Sequence, residues 1–225
     1  MRPKQINMAV LTDDDNGICV SQTPAAGGVQ SLTLNGALVS GGIASTTNGT
    51  AQPVTATWAG ADAARTLTIT YVSQDGHTHT GTIAGANGAA SNSTVFAVSV
   101  SAVSIDDDSA GAVEVGFVAA NGAVTQSIPV NRRQSPFNMS LFFDLTAGTM
   151  TLSAQYSEDP PNNPAITYAN GYAADAIWRD VAGLTDVTAD DNSNLAFPVE
   201  SVRFIQTVGS ATGTCTVTVI QGQNA

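Results

Sequence analysis

The sequence predicts an all-β protein: two β-sandwich or jelly-roll-like units with little helix. Three observations predict it. Apolar and polar residues alternate with a period of two over several segments, the pattern of half-buried strands. The chain is poor in helix-building charged residues, with one lysine (Lys4) and three glutamates (Glu114, Glu158 and Glu200) in 225 residues. It holds 21 Gly and 9 Pro, and Ala, Thr, Ser and Val fill much of the rest. Branched Cβ atoms suit a pleated surface, and Gly suits the turns between strands.

The elements follow in chain order. Residues 1–12 read as an N-terminal arm. Arg2 and Lys4 precede Ile6, Met8, Ala9, Val10 and Leu11, too short an apolar run for a secretory signal. Such a segment docks on a partner or a sister copy; a disordered tail or a first strand of its own domain are the plainer alternatives. Residues 13–130 form a β-rich domain, and residues 131–225 a β-sandwich domain. The division falls at Val130-Asn131-Arg132-Arg133-Gln134-Ser135-Pro136. Before it lie small-residue stretches at 25–28, 41–49 and 85–93. After it the chain is richer in aromatics, including Phe137, Phe142, Phe143, Tyr156, Trp178 and Phe204, so the firmer core is expected there.

Four segments read as strand, short loop, strand. Thr66–Tyr71 alternates without a break, meets Asp75-Gly76, and returns as His77–Ile83. Val98–Ile105 leads through Asp106-Asp107-Asp108 to Val113, Val115 and Phe117. Phe137–Phe143 leads through Gly148 to Met150, Leu152, Ala154 and Tyr156. Val202–Val208 leads through Gly209 and Gly213 to Cys215, Val217 and Val219. All four are expected to be hairpins. Asp159-Pro160-Pro161-Asn162-Asn163-Pro164 must be an exposed loop. Tyr168–Leu184 reads as a short helix or an irregular loop that holds Trp178 in the core.

Charge and motifs narrow the function. Seven Lys+Arg face 18 Asp+Glu, a formal net charge of −11. Scattered cations in a negative field cannot neutralise a row of phosphates, so no nucleic-acid partner is expected. No apolar run is long enough to span a membrane as a helix, so no membrane partner is expected either. Cys19 and Cys215 read as two packed reduced thiols, or as one bridge tying the ends together. His77 and His79, two apart on a strand, share a face and with Asp75 could chelate a metal; a solvated hairpin face is the plainer reading. Asp13-Asp14-Asp15 and Asp106-Asp107-Asp108 could gather calcium, but they lack the EF-hand spacing and its distal Glu, and they read as turn residues. No Gly-x-Ser-x-Gly elbow, phosphate loop or defined carboxylate pair occurs. The expectation is therefore no enzyme, with no catalytic, cofactor-binding or metal residue assigned and no cofactor. Arg132-Arg133 could meet an acidic partner surface, or simply be solvated.

The C-terminal half carries a resemblance. Ser135-Pro136-Phe137-Asn138-Met139-Ser140-Leu141 is followed by Leu152-Ser153-Ala154-Gln155-Tyr156-Ser157-Glu158-Asp159. Later come Phe197-Pro198-Val199-Glu200-Ser201-Val202-Arg203 and Gly213-Thr214-Cys215-Thr216-Val217-Thr218-Val219-Ile220-Gln221-Gly222. This series resembles small virion structural proteins of tailed bacteriophages that decorate or cement the capsid. The resemblance implies a virion component, made in the host cytoplasm, that binds the outer surface of the major capsid lattice. The partners it implies are the major capsid protein and other copies of the chain, as a homotrimer. A head–tail neck, tail tube or fibre-anchoring protein is the alternative. A third reading is a carbohydrate-binding β-sandwich for host attachment, with Trp58, Trp178 or Tyr172 as the stacking aromatic.

Overall fold

The computed structural model describes residues 3–11, 13–74, 76–118, 123–133, 135–159, 168–169, 172–173, 177–208 and 213–222. The expected all-β class holds: these residues form strands throughout, with a single 3-10 turn at Thr47–Gly49. The first strands are β1 (Lys4–Ala9), β2 (Asp14–Gln22), β3 (Gln30–Leu32), β4 (Val39–Ser40), β5 (Ile43–Ser45) and β6 (Gln52–Trp58). Next come β7 (Thr66–Val72), β8 (Thr78–Ala84), β9 (Ala90–Ala97), β10 (Ser99–Ile105) and β11 (Val113–Phe117). The rest are β12 (Ile128–Pro129), β13 (Met139–Gly148), β14 (Thr151–Ser157), β15 (Tyr168–Ala169), β16 (Tyr172–Ala173), β17 (Trp178–Asp180), β18 (Asp191–Leu195), β19 (Ser201–Val208) and β20 (Gly213–Gln221).

Two sandwiches result. The first packs the sheet β2–β11–β6–β9 against the sheet β4–β5–β10–β7–β8, with β3 also on β10. Their inner faces share one core that includes Ile18, Trp58, Leu67, Ile69, Tyr71, Val103, Val115 and Phe117. The second packs β1–β20–β13–β18 against β12–β19–β14–β17. Its core includes Met8, Leu141, Phe143, Leu152, Val202, Phe204, Val217 and Val219. Phe143 and Phe204 meet edge to face across it, with ring centroids 5.3 Å apart. Alternation along each strand sends every second side chain into these cores, and burial of that apolar face holds each pair of sheets together.

The paired strands differ from the expected hairpins. Only Thr66–Tyr71 and His77–Ile83 pair as read, β7 on β8 in continuous antiparallel register. The other three segments are corners that cross between sheets. β10 lies in one sheet of the first sandwich and β11 in the other; β13 and β14, and likewise β19 and β20, split between the two sheets of the second. Both strands of a crossing present an apolar face to the same core, so their sequence pattern matches that of a hairpin. Of the stretch read as helix or loop, the described parts are the strands β15, β16 and β17 and the non-strand residues 177 and 181–184. Residues 160–167, with most of the proline-rich loop, lie outside the described residues.

The ends of the chain are organised differently from the expected arm and division. Lys4–Ala9 is an edge strand, antiparallel to β20 from Lys4↔Val219 to Ala9↔Thr214. Met8 is fully buried in the second core, because its side chain falls on the inward face of the register. The chain thus starts in the second sandwich, builds the first, and returns. It has returned by Ala123 and Ile128, both in the second core, ahead of residue 131. Val124 sits at the junction. It exchanges two backbone hydrogen bonds with Ala51, each 2.9 Å, and bridges to Ile205 on β19. Fully buried Gln52 is beside it: its Oε1 accepts from Leu11 N–H at 3.0 Å and its Nε2 donates to Val118 O at 3.2 Å.

Candidate binding surface on the second sandwich

The outer face of the β12–β19–β14–β17 sheet gathers polar and aromatic side chains that the core cannot use. Register places Trp178 opposite Ser157 and Ser157 opposite Ser201; the next row holds Asp180, Gln155 and Arg203. The Arg203 guanidinium lies 4.1 Å from the centroid of the Trp178 ring, a cation–π contact. Its Nε and Nη2 donate to Gln155 Oε1 at 2.9 and 2.7 Å, and Gln155 Nε2 donates to Asp180 Oδ1 at 2.9 Å. Arg203 is buried, whereas Trp178 is half-buried. A planar guanidinium fits here because it stacks on the indole with its face and donates with its edge, which an ammonium cannot do.

At the end of the same sheet, Arg132 forms an ion pair with Glu200. With Glu158, Pro198 and Val199 they line a cavity of about 190 Å³. Tyr156 and Phe197 meet edge to face nearby, 5.1 Å apart. Ile177 is 61% exposed and Phe197 42%, so this end presents apolar surface beside charge. Sequence reading named Trp178 and Arg132 but missed Arg203 and Gln155. The signal was there: both fall on outward positions of strands whose other parity is apolar.

The remaining candidates are dispersed. Trp58 is 1% exposed inside the first core, so it cannot serve as a stacking platform. Tyr172 lies on β16. His79 packs its ring 5.8 Å from that of Tyr71, His77 is exposed, and Asp75 lies outside the described residues. Among the described residues, no three or more His, Cys, Asp or Glu are placed to hold a metal ion. No helix of the described residues is long and apolar enough to cross a membrane. Cys19 and Cys215 are free thiols, one in each core.

The acidic run Asp106-Asp107-Asp108 is structural. Nine acidic residues and one basic residue, Arg65, stand between residues 13 and 118. Arg65 pairs with Asp108 at 2.7 Å and Asp107 at 3.5 Å. The Asp107 carboxylate accepts the N–H groups of Gly28 and Asp108, and these, with Arg65, hold it below the usual carboxylate range. Asp62, buried, accepts from Ala110 N–H at 2.7 Å, and Asp106 accepts from Thr66 N–H at 3.0 Å. The aspartates thus pin together the loops at the far end of the first sandwich.

The arrangement defines a two-sandwich β protein with a polar and aromatic surface on its second unit. No family model matches the sequence, and no curated protein matches it. Among solved structures it is similar to the N-terminal CBM22-1-CBM22-2 tandem domain from Paenibacillus barcinonensis Xyn10C. That likeness has 10% identity and a TM-score of 0.27, over 96% of this chain and 94% of that one.

Proposed function

We propose that the protein is a non-catalytic structural subunit of a tailed-bacteriophage virion, a decoration or cement protein on the outer surface of the major capsid lattice. The observation that carries the reading is where the phage-like segments fall. Residues 135–141 lead into and begin β13, 152–159 cover β14, 197–203 lead into and begin β19, and 213–222 cover β20. These are the central strands of both sheets of the second sandwich. The resemblance therefore follows one folded unit, and it lies in the frame of that unit, as expected for a subunit selected for shape. Mass spectrometry of purified virions tests the proposal. Hundreds of copies per particle support it; six or twelve copies move the protein to the neck or tail.

A second reading, carbohydrate binding for host attachment, is favoured by Trp178 beside Arg203, Gln155 and Asp180. Arg203 covers one side of the indole, and the part of the ring that stays exposed suits a sugar ring. A glycan array with wild-type protein and Trp178→Ala tests it. Binding lost in the variant supports it, and no binding by the wild type disposes of it.

A further inference from the structure

We infer that Asn48-Gly49 is a site of spontaneous covalent modification, at which the asparagine converts to aspartate and isoaspartate, and that the change loosens the contact between β1 and the first sandwich. The sequence holds six Asn-Gly pairs, at 16–17, 35–36, 48–49, 87–88, 121–122 and 170–171. The last two lie outside the described residues. Asn-Gly is open to this reaction because glycine has no Cβ to obstruct attack by its own nitrogen. The fold sorts the four described pairs by how firmly each is held.

Three pairs are pinned. Asn35 Oδ1 accepts the Val20 N–H at 3.0 Å, and Gly36 N–H donates to Ile18 O at 3.0 Å. Asn87 Oδ1 accepts the Ala63 N–H at 3.0 Å, and Gly88 N–H donates to Gly60 O at 2.8 Å. Gly17, which follows Asn16, is buried, and its carbonyl accepts the Leu38 N–H at 3.0 Å. Its backbone lies so close to Gly36 that a Cβ on Gly36 would stand 2.2 Å from Gly17 O. The fourth pair is loose. Asn48 and Gly49 are both exposed, and among the described residues the Asn48 side chain has no hydrogen-bond partner. They take the two left-handed positions of a tight turn, Asn48 at φ 56° and Gly49 at φ 68°. Thr50 N–H donates to Thr47 O across it at 3.2 Å, and a Cβ on Gly49 would meet no atom within 4 Å. So short and exposed a turn opens locally, and rotation about the Asn48 Cα–C bond then brings the Gly49 nitrogen onto the Asn48 side chain.

The chemistry needs only water. The Gly49 nitrogen gives up its proton and attacks Asn48 Cγ. The Cγ–N bond to Gly49 forms, the bond from Cγ to the side-chain amide nitrogen breaks, and that nitrogen leaves as ammonia. Water then opens the cyclic imide. Cleavage at Cγ gives aspartate; cleavage at the main-chain carbonyl gives isoaspartate, whose backbone runs through Cβ and Cγ. Water is consumed, ammonia is released, and nothing is oxidised or reduced. Either product adds a negative charge, and isoaspartate also lengthens the backbone just before Thr50. Thr50 is 1% exposed, and its Oγ1 accepts the Ala9 N–H of β1 at 3.3 Å, so the longer turn displaces a contact that joins β1 to the first sandwich.

The test is peptide mapping by mass spectrometry after incubation in mildly alkaline buffer, which reads each pair separately, with the protein in denaturant as reference. In denaturant the four pairs should convert at similar rates. In the folded protein Asn48 should convert about tenfold or more faster than Asn16, Asn35 and Asn87. Conversion at any of those three as fast as at Asn48 overturns the inference. Amide exchange at Ala9 should be faster in aged than in fresh protein. It should not change on ageing in Asn48→Gly, which keeps the left-handed turn and lacks the reactive side chain. Equal exchange in aged and fresh wild type overturns the link to β1, and so does an equal acceleration in the variant.

Discussion

Cys19 and Cys215 lie in different cores, so no bridge ties the ends of the chain; each thiol is a packing group. Burial pushes Cys19 up to about 12. Burial also pushes Cys215 up to about 11, with the carboxylates of Asp144 and Asp190 adding to the shift and a backbone N–H opposing it. Both values exceed the ~8.5 of an unfolded cysteine, so the folded state favours the neutral thiol. The associated stability is complete below about pH 8.5 and is lost as pH rises through 11 to 12. Denaturant midpoints are expected to fall from about pH 9 upward, and a Cys19→Ala/Cys215→Ala variant should fall less. At pH ~8 a thiol reagent should label neither cysteine until the protein is unfolded. Phe204 makes a second residue-scale prediction. It is fully buried against Phe143, so Phe204→Ala should cost about 3–5 kcal/mol in denaturant unfolding.

At the scale of elements, the informative places are where strands approach closely or end. β2 and β11 pair irregularly, with Val115 opposite Cys19 and Phe117 opposite Asp14. Gly116 lies in that bulge, and a Cβ there would stand 1.6 Å from Asp14 O. Neither backbone can yield without breaking the ladder. Gly116→Ala should therefore destabilise by about 3 kcal/mol or more, measured by chemical denaturation. The loops pinned by aspartates are sensitive to acid in the opposite sense to the thiols. The folded Asp107 lies below its unfolded value, so its contribution is present above about pH 4 and disappears as pH falls through the folded pKa. Amide exchange at Gly28, whose N–H it accepts at 2.9 Å, should accelerate over that range beyond the intrinsic rate.

At the scale of the molecule, the second sandwich depends on a strand that precedes the first. A fragment spanning residues 123–225 lacks β1, so it loses Met8 and Val10 from its core and exposes the edge of β20. Removing one fully buried side chain of this size costs about 2–5 kcal/mol. The fragment should melt well below the intact chain and aggregate through the bare edge. A synthetic peptide of residues 3–11 should restore its melting temperature in a concentration-dependent way. A peptide carrying Met8→Asp should not, because its carboxylate would be buried in the apolar core.

The residues by themselves determined the strand content, the parity of each strand and most of the two cores, because period-two alternation and β-branched side chains act locally. The β7–β8 hairpin was legible for the same reason, with Asp75-Gly76 marking its turn. The candidate surface was half legible: Trp178 stood out by its type, whereas Arg203 and Gln155 gained meaning only when β14, β17 and β19 were set side by side. The tertiary structure decided which strands pair. Alternation tells which side chains face a core but not which sheet a strand joins, so three crossings between sheets looked like hairpins. It also decided that Lys4–Ala9 closes the second sandwich. That pairing spans almost the whole chain, and its backbone hydrogen bonds to β20 leave no mark on sequence beyond the apolar Ile6 and Met8.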